Sequence, residues 1–338
     1  MSQSTALQWA ESGRLPDWLI RTGIRRLLRR RLSEEAKISD ADRKKWLCDL
    51  ANGPIAVHTE LANEQHYEVV PAFFEAILGP RLKYSSGYWG PGATSLPEAE
   101  AAMLQLSCER AQIQDGQTIL DLGCGWGSLS LWIAEHFPAC SVLAISNSKL
   151  QREFIESRCA QRRISNLRVV TADINHFDPA ARFDRVVSVE MFEHMRNWSL
   201  LLDRIDAWLE PSGKLFVHIF CHREHSYPYE DRASGDWMAR HFFSGGIMPA
   251  VDLLPTVSDR FQLEERWRID GRHYQKTLEA WLQKLDTAPD LESVLTEVYG
   301  ADAKLWRQRW RIFLMSCSEL FGYRNGQEWS VAHYRMSR

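Results

Sequence analysis

Short apolar runs recur through the middle of the chain at Thr118–Leu122, Ser141–Ser146, Leu167–Thr171, Phe183–Val189 and Lys214–Phe220, and their lengths suit buried strands. Segments of helical period fit between them. One follows Gly127, with Leu129, Trp132, Ile133 and Phe137 on its apolar face; another spans Lys149–Arg163; a third spans Ser199–Leu209 and is closed by Pro211 and Gly213. Strands alternating with helices in this way predict an α/β fold with a mostly parallel sheet. The alternation resumes later with a strand at Phe261–Ile269, helices at Thr277–Leu285 and about Ala303–Leu320, and a last strand at Gln327–Arg335. That makes seven strands in all.

The first 110 residues read differently. Leu15–Leu32 sets Arg21, Arg25, Arg26, Arg29, Arg30 and Arg31 among Ile20, Ile24, Leu27, Leu28 and Leu32 at helical spacing. Such a basic amphipathic helix suits an anionic surface, or a water-facing outer helix. Pro71 opens a short helix that buries Phe73, Phe74, Ile77 and Leu78 and stops at Gly79-Pro80. His66, Tyr67, Tyr84, Ser85, Ser86, Tyr88 and Trp89 cluster in aperiodic sequence, and rings with polar edges suit a pocket wall. Pro97–Ala111 is a helix leading into the first strand. We therefore expect a helical extension with part of an active-site lid over 1–110 and a ligand-binding α/β domain over 111–338. Within the latter, 221–258 is too long and too rich in aromatic residues for an ordinary connection, and is placed to form a substrate cap.

Charge and cysteine usage narrow the classes. The net charge of −3 lacks the positive excess of a nucleic-acid binder. Seven cysteines without a CxxC pair favour neither a disulfide framework nor a zinc cluster, and a reducing, cytoplasmic setting is the default expectation.

The chemistry concentrates after the first strand, in LDLGCGWGS. A dinucleotide fingerprint would read GxGxxG and a phosphate loop would end in Gly-Lys-Ser/Thr; here Asp121 precedes Gly123, Gly125 and Gly127, and no lysine follows. Glycines let a ligand approach the backbone, and an acid at the strand end suits a cationic or hydroxyl-bearing partner. Ligands of such sheets lie beyond the carboxyl ends of the strands, where Asp121, Ser146, Asn147, Asp173, Glu190 and His218 fall.

This glycine turn resembles motif I of class I S-adenosylmethionine (SAM)-dependent methyltransferases, whose fold is Rossmann-like. Together with YSSGYW, ISNS, EMFEHM, FVHIFCH, GDWMARHFFSGG and GRHYQKTLEAW, it makes the chain after residue 60 similar to the cyclopropane-fatty-acid synthase superfamily, and within it to the coclaurine N-methyltransferase branch. The resemblance implies that Tyr84, Ser85, Asp121, Gly123, Gly125, Ser146, Asn147, Gln151 and Asp173 line the SAM site, which after transfer holds S-adenosyl-L-homocysteine (SAH), and that no metal takes part. It places Glu190, Glu193 and His194 at the acceptor amine. By family position and by the aromatic character of the cap, Tyr67, Tyr88, His218, Trp237, Phe242, Phe243 and Tyr274 are expected around the substrate.

In the fatty-acid enzymes a cysteine, a glutamate, a histidine and a tyrosine hold bicarbonate. The resemblance assigns Glu193, His218 and Tyr274 to three of these roles and puts Ser86 at the cysteine position, which casts doubt on bicarbonate use. The expected reaction is methyl transfer to the amine nitrogen of a small molecule. An alkylammonium must lose a proton before it can attack; two glutamates supply a negative field, and a histidine of ordinary pKa near 6.5 supplies a base. Glu190 and His194 would share a face if a helix began there. Methylation or cyclopropanation of lipid acyl chains, and a SAM-binding protein without catalysis, are the competing readings. Peripheral membrane contact through the basic helix and a homodimer both stay open, and no nucleic-acid partner is expected.

Overall fold

The computed structural model describes residues 5–57, 69–230, 237–257 and 259–338. Strands β1 (Thr118–Leu122), β2 (Ser141–Ser146), β3 (Leu167–Thr171) and β4 (Phe183–Val189) lie where the apolar runs put them. With β5 (Leu209–His222), β8 (Gln262–Ile269) and β9 (Trp329–Ser337) they form one sheet in the order β3-β2-β1-β4-β5-β9-β8. Neighbours from β3 to β5 are parallel; β9 runs antiparallel to both of its neighbours, β5 and β8.

Burial explains the strand composition. Ile119 of β1 packs with Val187 and Phe216 against the helices Leu96–Ala111 and Ser128–His136, while Leu120 and Leu122 pack with Val186 and Leu215 against the helix Trp198–Trp208. With helices on both faces, the strands carry few polar residues. β5 is longer than its apolar run because β9 pairs with it residue by residue from Lys214 to His222, and because Leu209 already pairs with Phe183 before an irregularity in the register. The helix expected at Thr277–Leu285 spans Gly271–Thr287, since the Asp270 side chain accepts the Arg272 N–H at its start. A further helix, Leu291–Tyr299, lies between Asp290 and Gly300 and was not expected.

A third core, joined by Ile269 of β8 and by Trp329 and Val331 of β9, gathers the helices Asp17–Glu35, Pro71–Ile77, Gly271–Thr287 and Ala303–Gly322. The basic helix is built into it. Arg21 reaches Glu279 at 2.7 Å and Glu319 at 3.1 Å, Arg25 reaches Glu319 at 2.8 Å, and Ile20 and Ile24 are buried. The segment after β5 runs through the hairpin β6 (Tyr227–Pro228) and β7 (Ile247–Met248), with the helix Trp237–His241 between them. Among the described residues, no helix is long and apolar enough to cross a membrane.

Candidate active site

The turn after β1 takes left-handed backbone at Gly123, Gly125 and Gly127, with φ of +76°, +54° and +80°. A Cβ on Gly127 would stand 2.7 Å from Ile155, whereas one on Gly125 would meet nothing within 4 Å, so the turn faces open space there. That space is a cavity of about 720 Å³, and a recess of about 90 Å³ shares part of its wall: Gly123, Gly125, Gln151, Glu190 and His194 line both. Asp121, Tyr84 and Ser85 line the cavity, and Ser146, Asn147 and Asp173 line the recess. All nine residues expected around SAM therefore line the cavity or the recess that shares its wall.

The residues at this end fit such a cofactor. Asp121 is buried, and the Ser130 hydroxyl donates to its carboxyl at 2.5 Å; burial pushes that carboxyl up to about 6. A bound amino group would restore the lost solvation. Three buried donors on the cavity wall, Trp126 Nε1, Ser128 Oγ and Gln151 Nε2, have no hydrogen-bond partner among the described residues. Ser146 Oγ holds the Gln151 amide by donating to Oε1 at 2.6 Å. A cation acceptor beside a set of unmatched donors suits the amino-acid end of SAM.

Deeper in the cavity, Glu190 stands just past β4 with φ +48°, an uncommon value for a side chain of this kind, and its carboxylate collects donors from three distant segments. Oε1 accepts the Ser86 N–H at 3.0 Å and faces His218 Nε2 at 3.1 Å, while Oε2 accepts the Tyr274 hydroxyl at 2.6 Å. Burial raises its pKa above the ordinary carboxylate value, and the charge of Lys83 and the bonds from Ser86 and Tyr274 oppose the rise. Beyond Glu190 and His194 the wall turns aromatic, with Phe220, Tyr229, Trp237, Phe243, Phe313 and Phe321.

The family model for mycolic acid cyclopropane synthetase matches residues 57–330. The chain belongs to the mycolic acid cyclopropane synthetase family. This family member is 37% identical over 337 residues to (S)-coclaurine N-methyltransferase of Thalictrum flavum subsp. glaucum, covering 97% of this chain and 93% of that one. To the enzyme of the same name from Papaver somniferum it is 35% identical over 332 residues, covering 96% and 95%. The crystal structure of coclaurine N-methyltransferase bound to N-methylheliamine and SAH superposes with a TM-score of 0.93 at 36% identity, over 98% of this chain and 99% of that one.

For this mycolic acid cyclopropane synthetase family member the geometry corrects three expectations. The carboxylate that gathers Ser86, His218 and Tyr274 is Glu190, not Glu193. Glu193 lies off the cavity wall, fully buried, with Oε1 accepting the Phe220 N–H at 2.6 Å and Oε2 without a hydrogen-bond partner among the described residues; burial and then the Glu190 charge push its pKa well above the ordinary value. No helix begins at Glu190, since Phe192–His194 is a single 3₁₀ turn and the next helix starts at Trp198. The left-handed Glu190 and that turn bring Glu190 and His194 to the same wall. Nor does His194 keep an ordinary pKa: burial pulls it down to about 4, against the charge of Glu190, and its ring stands edge-on to Phe243 at 4.7 Å.

Of the residues expected around the substrate, Trp237, Phe243 and Tyr274 line the cavity. His218 sits behind Glu190, Tyr88 stacks on His273, and Phe242 packs into the core against Trp310 and Phe313. Tyr67 lies outside the described residues. Sequence reasoning missed Trp126 and Ser128, although both belong to the glycine motif, and it missed Leu27, Leu28 and Arg31, with which the N-terminal helix closes the cavity. Helical periodicity marks an apolar stripe but not which cavity the stripe will wall.

Proposed function

We propose that this chain transfers a methyl group from SAM to the amine nitrogen of a small molecule with an apolar, aromatic body. The observation that carries the reading is the cavity together with the recess that shares its wall. Asp121 and the glycine turn stand at one end, an aromatic chamber at the other, and Glu190 and His194 where they meet. SAM supplies an electrophilic methyl group on a sulfonium. Asp121 anchors the amino-acid end and sets the direction in which that methyl points. Glu190 attracts the ammonium form of the acceptor, and His194, unprotonated at neutral pH, accepts its proton; the aromatic wall excludes water and aligns the nitrogen. The relatives named N-methyltransferases over nearly the whole chain support the same reaction.

The lipid reading finds less support. The Ser86 N–H, His218 and the Tyr274 hydroxyl, at positions assigned to bicarbonate ligation, are engaged with the Glu190 carboxylate instead. Incubation with methyl-labelled SAM and a panel of aromatic amines and unsaturated phospholipids, followed by mass identification of the product, tests the proposal. Label in an N-methylated amine supports it. Label confined to acyl chains, or no transfer to any amine, overturns it.

A further inference from the structure

Behind Glu190 a line of buried polar groups crosses the sheet and ends outside the cavity. His218 of β5 and His333 of β9 are directly opposite in the antiparallel pair, so both rings lie on one face of the sheet, and both are fully buried. His218 Nδ1 is 2.9 Å from His333 Nε2, and His333 Nδ1 is 3.0 Å from Nη1 of Arg110, in the last turn of the helix Leu96–Ala111. The Arg110 guanidinium lies over the Trp267 ring at 4.9 Å. At the other end His218 Nε2 meets Glu190 Oε1 at 3.1 Å.

Donor arithmetic gives this line a direction. Arginine has N–H donors and no acceptor, so His333 Nδ1 must accept. A neutral imidazole carries one proton, which then sits on His333 Nε2 and is donated to His218 Nδ1. His218 in turn carries its proton on Nε2 and donates it to Glu190. A second proton on either ring would set two N–H groups head to head, at Arg110 or between the histidines. His218 is thereby barred from acting as a base.

Resting on the methyltransferase reading above, we propose that Arg110 and His333 are positioning residues for the transfer. Through His218 they fix a third donor on Glu190, beside Ser86 and Tyr274, so that the carboxylate stays ionised and presents one orientation to the substrate ammonium. Other groups bear on the same carboxylate: Lys83 favours its charge, His194 does so only when protonated, below about pH 4, and buried Glu193, Tyr274 and Cys317 are coupled to it through their own ionisation. Lys83 and Arg110 are the cations that face the two histidines, and with burial they hold both rings neutral.

The line can be tested in the intact protein without relying on activity. In ¹⁵N-histidine-labelled wild type, long-range ¹H–¹⁵N correlation, assigned with His218→Gln and His333→Gln, should show both rings neutral and protonated on Nε2 throughout the neutral range. An Nδ1–H tautomer or an imidazolium at either position overturns the proposal. In the pH profile of kcat/KM for the methylated amine, Arg110→Met should move the acid limb upward by about one pH unit, because a charge-assisted bond to Glu190 is weakened. Arg110→Lys, which keeps a cationic donor, should move it back toward wild type. A folded Arg110→Met with the wild-type acid limb also overturns the proposal. If Arg110→Met does not fold, the tautomers of the wild type decide. Failure of the methyltransferase reading would show separately, as wild type that methylates no amine.

Discussion

Replacing Asp121 with asparagine should make the empty protein more stable and the cofactor complex weaker. The carboxyl is buried with a hydrogen bond from the Ser130 hydroxyl, and burial raises it from 3.8 to about 6. A folded-state pKa above the unfolded one means that ionisation opposes folding. The penalty is absent below the unfolded value, near pH 4, grows as pH rises through about 6, and is complete at neutral pH. The rise corresponds to about 3 kcal/mol at full ionisation. Asparagine keeps the shape and an acceptor for Ser130 but carries no charge. Denaturant unfolding of Asp121→Asn without cofactor should therefore match wild type near pH 4 and exceed it by about 2–3 kcal/mol at pH 7.5. Binding should move the other way. Titration calorimetry with SAH should show affinity weakened at least tenfold, about 1.4 kcal/mol. In wild type, affinity should fall as pH drops below about 6, while the variant should lack that dependence. A stability difference that is the same at pH 4 and pH 7.5, or an undiminished SAH affinity in the folded variant, would refute the reasoning.

His194→Ala should lower kcat by roughly 10²–10⁴ at neutral pH, with a smaller loss at high pH, where more amine arrives deprotonated; a pH–rate series alongside SAH titration checks that only the proton step is affected. Because Glu190 already occupies the donors of Ser86, His218 and Tyr274, added bicarbonate should leave turnover in degassed buffer unchanged, and saturable activation would contradict this geometry. Gly127→Ala forces a Cβ to within 2.7 Å of Ile155 at φ +80° and should cost about 1–3 kcal/mol in urea unfolding. Leu27 lines the cavity from the N-terminal helix although its residue is 58% exposed, so Leu27→Asp should raise KM for the amine severalfold while leaving SAH affinity within about twofold in calorimetry.

The parallel half of the sheet was legible because β1, β2 and β4 are mostly buried and read, like β3, as short runs rich in apolar residues; β1 to β4 begin and end where those runs do. Local pattern also marked Asp121 and the glycine turn, since left-handed backbone at three spaced positions leaves its signature in residue type. What lay beyond reach was long-range. Nothing near position 190 indicates that Ser86, His218 and Tyr274 converge on Glu190 rather than on Glu193, three residues later. A left-handed Glu190, held by its N–H to the His218 carbonyl at 2.8 Å, decides it. The pKa of His194 was hidden for the same reason: burial by Phe243 and its neighbours is a property of the folded cap.

The placement of β9 has a consequence for the order of assembly. β8 joins the sheet through β9 alone, and β5 is paired on that side by β9 alone. While the chain is being synthesised, β5 and β8 are therefore both made and both unpaired along one edge until Trp329–Ser337 has emerged to slide between them. The same nine residues bring His333 to His218, so the carboxylate at the heart of the cavity gains its full set of donors in the closing step of sheet formation. A nascent chain halted before that segment would carry a folded glycine turn beside two open strand edges, the kind of surface that pairs with other chains.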